Sequence, residues 1–219
     1  MNRAFWFALS VVGFVASASG RGAVADASAE QPVNILFIMS DQHNVRAMGC
    51  SGNDEVKTPV LDQLAKDGVR FSNAFCQTGQ CCPSRYTIWT GRYAHSHGCR
   101  WNYVPEPLGE VTVGEVFQQA GYVTATIGKH HMIHSPTKHG FDLVVDQREY
   151  RAFLAAEGQP PMLQSVEKMK QPSKAYTGVS HAPNKYHPAG FWAAEMVKFL
   201  QTNRNKPFCA WLSFYGPHT

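Results

Sequence analysis

Residues 33–41, VNILFIMSD, form a run of apolar, partly β-branched residues that closes on a carboxylate. An apolar run without polar alternation suits a strand buried on both faces, as in a parallel sheet covered by helices. Residues 33–40 therefore read as a central strand, with Asp41 at its carboxyl end. Working outward, Thr58 and Pro59 suit an N-cap and first helical position. Val60, Leu61, Leu64 and Ala65 then make an apolar stripe that Gly68 ends. Residues 69–74 read as a second short strand. Thr112 and Glu115 have the T-x-x-E spacing of a capping box, opening a helix with Val113, Val116, Phe117 and Ala120 on one side. Gly121 ends that helix, and 122–127 read as a strand running into Gly128 and Lys129. From 147 to 186 periodicity fades among Gln, Pro, Lys and Ser, which predicts an irregular excursion. Pro188 starts a helix with Trp192, Met196, Phe199 and Leu200 on one face, and 207–215 form a further strand ending at Gly216, Pro217 and His218. Strands alternating with helices predict an α/β sheet with helices on both faces. Polar residues stand where strands end, at Asp41, Lys129 and His218, and open α/β sheets bind ligands at those ends.

The totals narrow the function. With 44% hydrophobic and 16% charged residues, the 219-residue chain can bury a core and is not of the disordered class. A net charge of +4 without any Lys/Arg run argues against nucleic acid as a partner. Asn2 and Arg3, the apolar run 4–15 and the small residues Ala16, Ser17 and Ala18 have the order of a signal peptide. We expect a leader over 1–18, cleaved as late as residue 25, a linker over 19–31, and the fold over 32–219. The apolar run is too short for a stable membrane anchor, so a periplasmic or secreted protein is expected, in a compartment that permits disulfides.

Six cysteines, at 50, 76, 81, 82, 99 and 209, lack the spacing of a disulfide scaffold or zinc site. Two are adjacent in GQCCPSRYTIWTG, residues 79–91, with Pro83 suited to a first helical position. Cys81 and Cys82 would then lie just ahead of a helix N-terminus, which favours anionic groups. A vicinal disulfide, an inert thiol pair and a reactive cysteine are the readings open to the pair. Cys50, Cys76, Cys99 and Cys209 read as packing thiols with room for one disulfide.

Cys81-Cys82-Pro83-Ser84-Arg85, followed by Tyr86-Thr87, Ile88-Trp89 and Thr90-Gly91, resembles the sulfatase signature. VNILFIMSDQH, TPVLDQLAKDGVRFSNAFCQ, TGRYAHSHG, GKHHM and SFYGPHT resemble further segments of that family, in order, from about residue 33 to 219. The resemblance implies an alkaline-phosphatase-like fold: a mixed, mostly parallel sheet between helices. It implies a sulfuric ester hydrolase whose Cys81 is oxidised to formylglycine by dedicated machinery, Cys82 filling a variable slot. By similarity Asp41, Gln42 and residue 81 are ligands of a divalent metal, expected to be calcium. Gln42 stands where the family often has a second acid. Arg85 would hold the aldehyde hydrate, Lys129 the sulfate oxygens, His131 would deprotonate the second hydroxyl, and His218 would serve the leaving oxygen. His130 stands where many members have Trp. His95, His97, His134 and His139 need no chemical role. The substrate would be a small-molecule or glycan sulfate ester. A phosphonate or phosphate monoester hydrolase of the same superfamily is the alternative, and an inactive fragment a third reading. The resemblance implies that family members continue past the position of Thr219 with a further Asp-Asn or Asp-His metal pair, a second active-site lysine and a smaller C-terminal domain, so 32–219 read as an N-terminal portion.

Overall fold

The computed structural model describes residues 32–102, 109–132, 135–160 and 182–218. The expected leader and linker, and His134, lie outside the described residues.

Strands β1 (Ile35–Asp41), β2 (Val123–Gly128), β3 (Leu143–Val145) and β4 (Phe208–Pro217) form one sheet in the order β1-β4-β2-β3. Every pairing is parallel: Leu36 and Ala125 both sit beside Ala210, and Ala125 also sits beside Leu143. Parallel neighbours require crossovers, and the helices supply them. These are α1 (Pro59–Asp67), α2 (Cys81–Thr90), α3 (Ala94–His97), α4 (Val113–Gln119), α5 (Gln147–Ala156) and α6 (Pro188–Thr202).

The alternation of side chains along β4 separates two cores. Phe208, Ala210 and Leu212 face Phe191, Trp192, Met196 and Phe199 of α6 with Tyr150 and Leu154 of α5. Trp211 faces the other way, against Trp89 of α2, Phe141 and Met132. Helices thus cover both faces, as the alternating pattern predicts. The helix starts are built from local chemistry: Thr112 and Glu115 form the reciprocal capping box expected of α4. Pro59 and Pro188 open α1 and α6, where a missing N–H costs nothing.

Four expectations are corrected. β1 is not central among the described residues: it pairs only with β4, and Phe37 and Ile38 are exposed. Residues 69–74 form no strand, and Val69 and Phe71 lie exposed, with no strand paired to them among the described residues. The excursion expected from 147 begins instead with α5, nucleated by a capping box between Asp146 and Glu149. Cys81 is the first residue of α2, with Gln80 as N-cap, so both vicinal cysteines lie inside the first turn and not ahead of it.

Candidate active site

The strand ends gather the polar groups. Asp41 closes β1, Lys129 follows Gly128 at the end of β2, and Ser213 lies in β4 beside Gly128. Gly128 has φ +93°, and a Cβ there would meet the Ser213 carbonyl oxygen. Only glycine allows this approach; it lets the Lys129 N–H donate to the Ser213 carbonyl at 2.8 Å.

Arg85, on α2, ties these ends together. Its guanidinium donates to Asp41 Oδ2 at 3.0 Å, to Ser213 Oγ at 2.9 Å and to the Lys129 carbonyl at 2.5 Å. Lys129 Nζ makes its own ion pair with Asp41 Oδ2 and lies 5.3 Å from the centre of the Tyr215 ring. Asp41, Arg85 and Lys129 are all buried. Burial alone would raise the Asp41 carboxyl, but Lys129 and then Arg85 outweigh it and hold the pKa below its ordinary value. Burial pulls the Arg85 guanidinium down, with Asp41 opposing. Two buried cations share one carboxylate, so the cluster carries an excess positive charge. Read alone, Lys129 is a solvated loop residue; the structure buries it.

Cys81 and Arg85 are four residues apart on α2 and therefore share a face. The Cys81 thiol reaches Asn102 Oδ1 at 3.7 Å, and the same oxygen accepts from the Cys82 N–H at 3.1 Å, satisfying one free donor of the helix's first turn. Sequence reasoning missed Asn102. Its signal is a lone amide in HGCRWN, residues 97–102, which becomes informative only once that segment is known to return to α2.

His131, two residues past Lys129, has φ 55°, and its Nδ1 is buried without a hydrogen-bond partner among the described residues. Its pKa is lowered, first by burial and then by the charges of Lys129 and Arg85. His130 turns to Asp146, with Nε2 3.3 Å from Oδ2, and burial likewise lowers its pKa. Gln42 has φ 58° and is exposed. His218 is exposed just past β4, and no hydrogen bond or ion pair joins its ring to the cluster among the described residues. His97 is a core residue: its ring meets Thr87 Oγ1 and accepts from the Cys99 N–H.

The donors present do not fit a calcium ion by themselves. Calcium takes about 6–8 oxygens, whereas Asp41 is the cluster's single carboxylate and already faces two cations. Among the described residues no group of three or more His, Cys, Asp or Glu could hold a metal.

The histidines set an acid response. His97, His130 and His131 all have lowered pKa values, with burial the leading cause. In the unfolded chain such groups take up protons near their ordinary value of about 6.5. Below that pH the unfolded state binds more protons than the fold, so stability falls as pH falls. Asp41, Asp142 and Asp146, with lowered values, withdraw their own contributions only at lower pH, below the ordinary value of 3.8. Urea midpoints are expected to drop between about pH 7 and pH 5, before the carboxylates titrate. A flat profile there would contradict the burial of these rings.

The sulfatase family model matches residues 33–219. An N-acetylglucosamine-6-O-sulfatase of Bacteroides thetaiotaomicron is 30% identical over 189 residues, covering 84% of this chain and 30% of the relative. An ulvan-active sulfatase of Formosa agariphila is 30% identical over 187 residues, covering 83% of this chain and 36% of the relative. The phosphonate monoester hydrolase of Agrobacterium radiobacter superposes with a TM-score of 0.73 at 24% identity, over 86% of this chain and 42% of that one, a likeness of fold. A protein solved with its substrate D-glucosamine-2-N,6-O-disulfate superposes at 0.63 with 27% identity, over 86% of this chain and 35% of that one. The chain spans about a third of the length of these curated relatives. A match running from the first strand to the last, over a parallel sheet whose strand ends collect charge, leaves one conclusion: this chain belongs to the sulfatase family.

Proposed function

We propose that this chain carries the nucleophile-bearing portion of a sulfuric ester hydrolase, with Cys81 converted to formylglycine. The observation that carries the reading is the charge of the cluster at the strand ends. Arg85 and Lys129 are buried against one carboxylate, Asp41, and a monoanionic sulfate ester would balance the remaining charge. The hydrated aldehyde would supply one hydroxyl to attack sulfur and displace the alcohol, and a second whose deprotonation lets carbon expel sulfate. Arg85, one turn along the face it shares with residue 81, orients that hydrate, and Lys129 binds the sulfate oxygens. His131, kept neutral by its lowered pKa, accepts the proton of the second hydroxyl. His218 supplies the proton to the departing alcohol, a task its exposure beyond β4 permits.

Members of the family generally use a divalent metal. Asp41 and Gln42 would need further oxygen donors beyond the described residues to form its shell. The relatives named for acting on sulfated sugars support a saccharide sulfate as substrate. The apolar leader supports export to a periplasm or the exterior.

The test takes the whole protein from a host that makes formylglycine. Mass spectrometry should find an aldehyde at Cys81 and a thiol or disulfide at Cys82. Cys81→Ala should lower aryl sulfate turnover on the order of 10³-fold or more, as loss of a covalent nucleophile does. An aldehyde at Cys82, or full activity in the Cys81→Ala protein, would overturn the assignment. Faster turnover of an aryl phosphonate than of the sulfate would favour the chemistry of the Agrobacterium neighbour instead.

A further inference from the structure

Cys82, next to the nucleophile, has a partner of its own. Its Sγ lies 3.7 Å from Cys99 Sγ, across 17 positions of sequence. Cys82 and Cys99 are 1% and 0% exposed, and Tyr86 packs over them. Beyond Cys82, Cys99 Sγ reaches, among the described residues, a backbone oxygen, that of Trp101 at 3.6 Å. The two vicinal thiols thus face different neighbours, Cys81 toward Asn102 and Cys82 toward Cys99.

A shared metal does not explain the pair. A structural zinc needs four ligands, and the nearby His97 ring has both nitrogens occupied, by Thr87 and by the Cys99 N–H. No third metal-binding group joins the thiols among the described residues.

We propose that Cys82 and Cys99 form a disulfide that fastens the first turn of α2 to the segment after α3 and leaves Cys81 as the reactive thiol of the vicinal pair. The inference does not rest on the ester-hydrolase reading; it needs only an oxidising environment. The two thiols lose two protons and two electrons, and the electrons reduce an external disulfide, such as oxidised glutathione or a dithiol oxidase, to two thiols. Side-chain rotation must carry the sulfurs from contact to a bond of about 2.05 Å. Burial, followed by the neighbouring Cys99, pushes the Cys82 thiol up to about 12, so little thiolate is available in the finished fold. The bond therefore forms while the chain is folding, through thiolates still exposed to solvent.

Two results follow for the site. Cys82 is withdrawn from any reaction meant for Cys81. Asn102, three residues beyond Cys99, is held where its amide oxygen meets the Cys82 N–H and the Cys81 thiol.

The experiment refolds the whole chain in a buffer of reduced and oxidised glutathione, alkylates free thiols under denaturing conditions, and maps peptides without reduction. For chain made in a host that leaves Cys81 a thiol, the expected result is a fall from six alkylatable cysteines to four, with the Cys82 and Cys99 peptides joined and two hydrogens lighter than their sum. Cys76→Ser and Cys81→Ser should keep that link; Cys82→Ser should abolish it and free Cys99. The wild-type map decides the matter even where a variant fails to fold. Alkylation of both Cys82 and Cys99, a Cys81–Cys82 bond, or comparable amounts of other pairings would overturn the proposal.

Discussion

Asp41→Ala is expected to destabilise the protein by about 3–5 kcal/mol, the usual cost of removing one member of a buried ion pair. The reason lies in what stays behind. Arg85 and Lys129 are 3% and 7% exposed, and Asp41 is their shared counter-charge. Without it, two cations face each other in a setting of low dielectric, and neither side chain can reach water without opening the strand ends. Asp41→Asn separates charge from shape. It keeps the volume and one acceptor oxygen, so a loss close to that of alanine would assign the effect to charge. Equilibrium unfolding in urea reads both variants, and a shift below about 0.5 kcal/mol, the range of ordinary surface changes, would refute the account.

Trp192→Ala is expected to cost a similar amount, about 3–5 kcal/mol, by a different route. Trp192 is 1% exposed in α6, with ring centres 5.1 Å from Tyr215 and 6.0 Å from Tyr150. Its removal opens a cavity between α5, α6 and the sheet that these rigid rings fill poorly. The indole N–H, however, is buried without a hydrogen-bond partner among the described residues. Trp192→Phe should therefore cost far less than alanine, because it keeps most of the packing and removes an unsatisfied donor. If phenylalanine proved as damaging as alanine, the indole N–H would have a partner that these contacts do not include.

The parts of the fold legible in the sequence were those with a local cause. The capping box at Thr112 and Glu115, the prolines at 59 and 188, and the apolar run at the start of β4 each act within a few residues. Residues 69–74 have the composition of a strand but form none, because β propensity expresses packing on a neighbour and Val69 and Phe71 stay exposed among the described residues. α5 was hidden because its capping box begins with Asp146, at the margin of a polar stretch, and its buried residues Tyr150 and Leu154 are only two. The site divides in the same way. Charged residues at strand ends could be named in advance from their positions. That Arg85 and Lys129 share the Asp41 carboxylate could not, because Arg85 lies 44 positions from each of the other two and the three meet only through the sheet. Cys99 and Asn102 depend on the same long-range return of the chain.

The sheet order bears on the timing of assembly. β4, the most C-terminal strand described, lies between β1 and β2, and 174 positions separate Asn34 from its partner Phe208. A ribosome therefore releases β1, α2 and β2 long before the element that joins them exists. Pairings this distant fold slowly, since the intervening chain must be closed before any contact rewards it. Until β4 arrives, Arg85 lacks Ser213 and β1 lacks its only described neighbour. The Cys81–Arg85 segment accordingly precedes, in order of synthesis, the strand that supplies Ser213 to Arg85. Chain order thus leaves the charged cluster at the strand ends incomplete until the strand between β1 and β2 inserts.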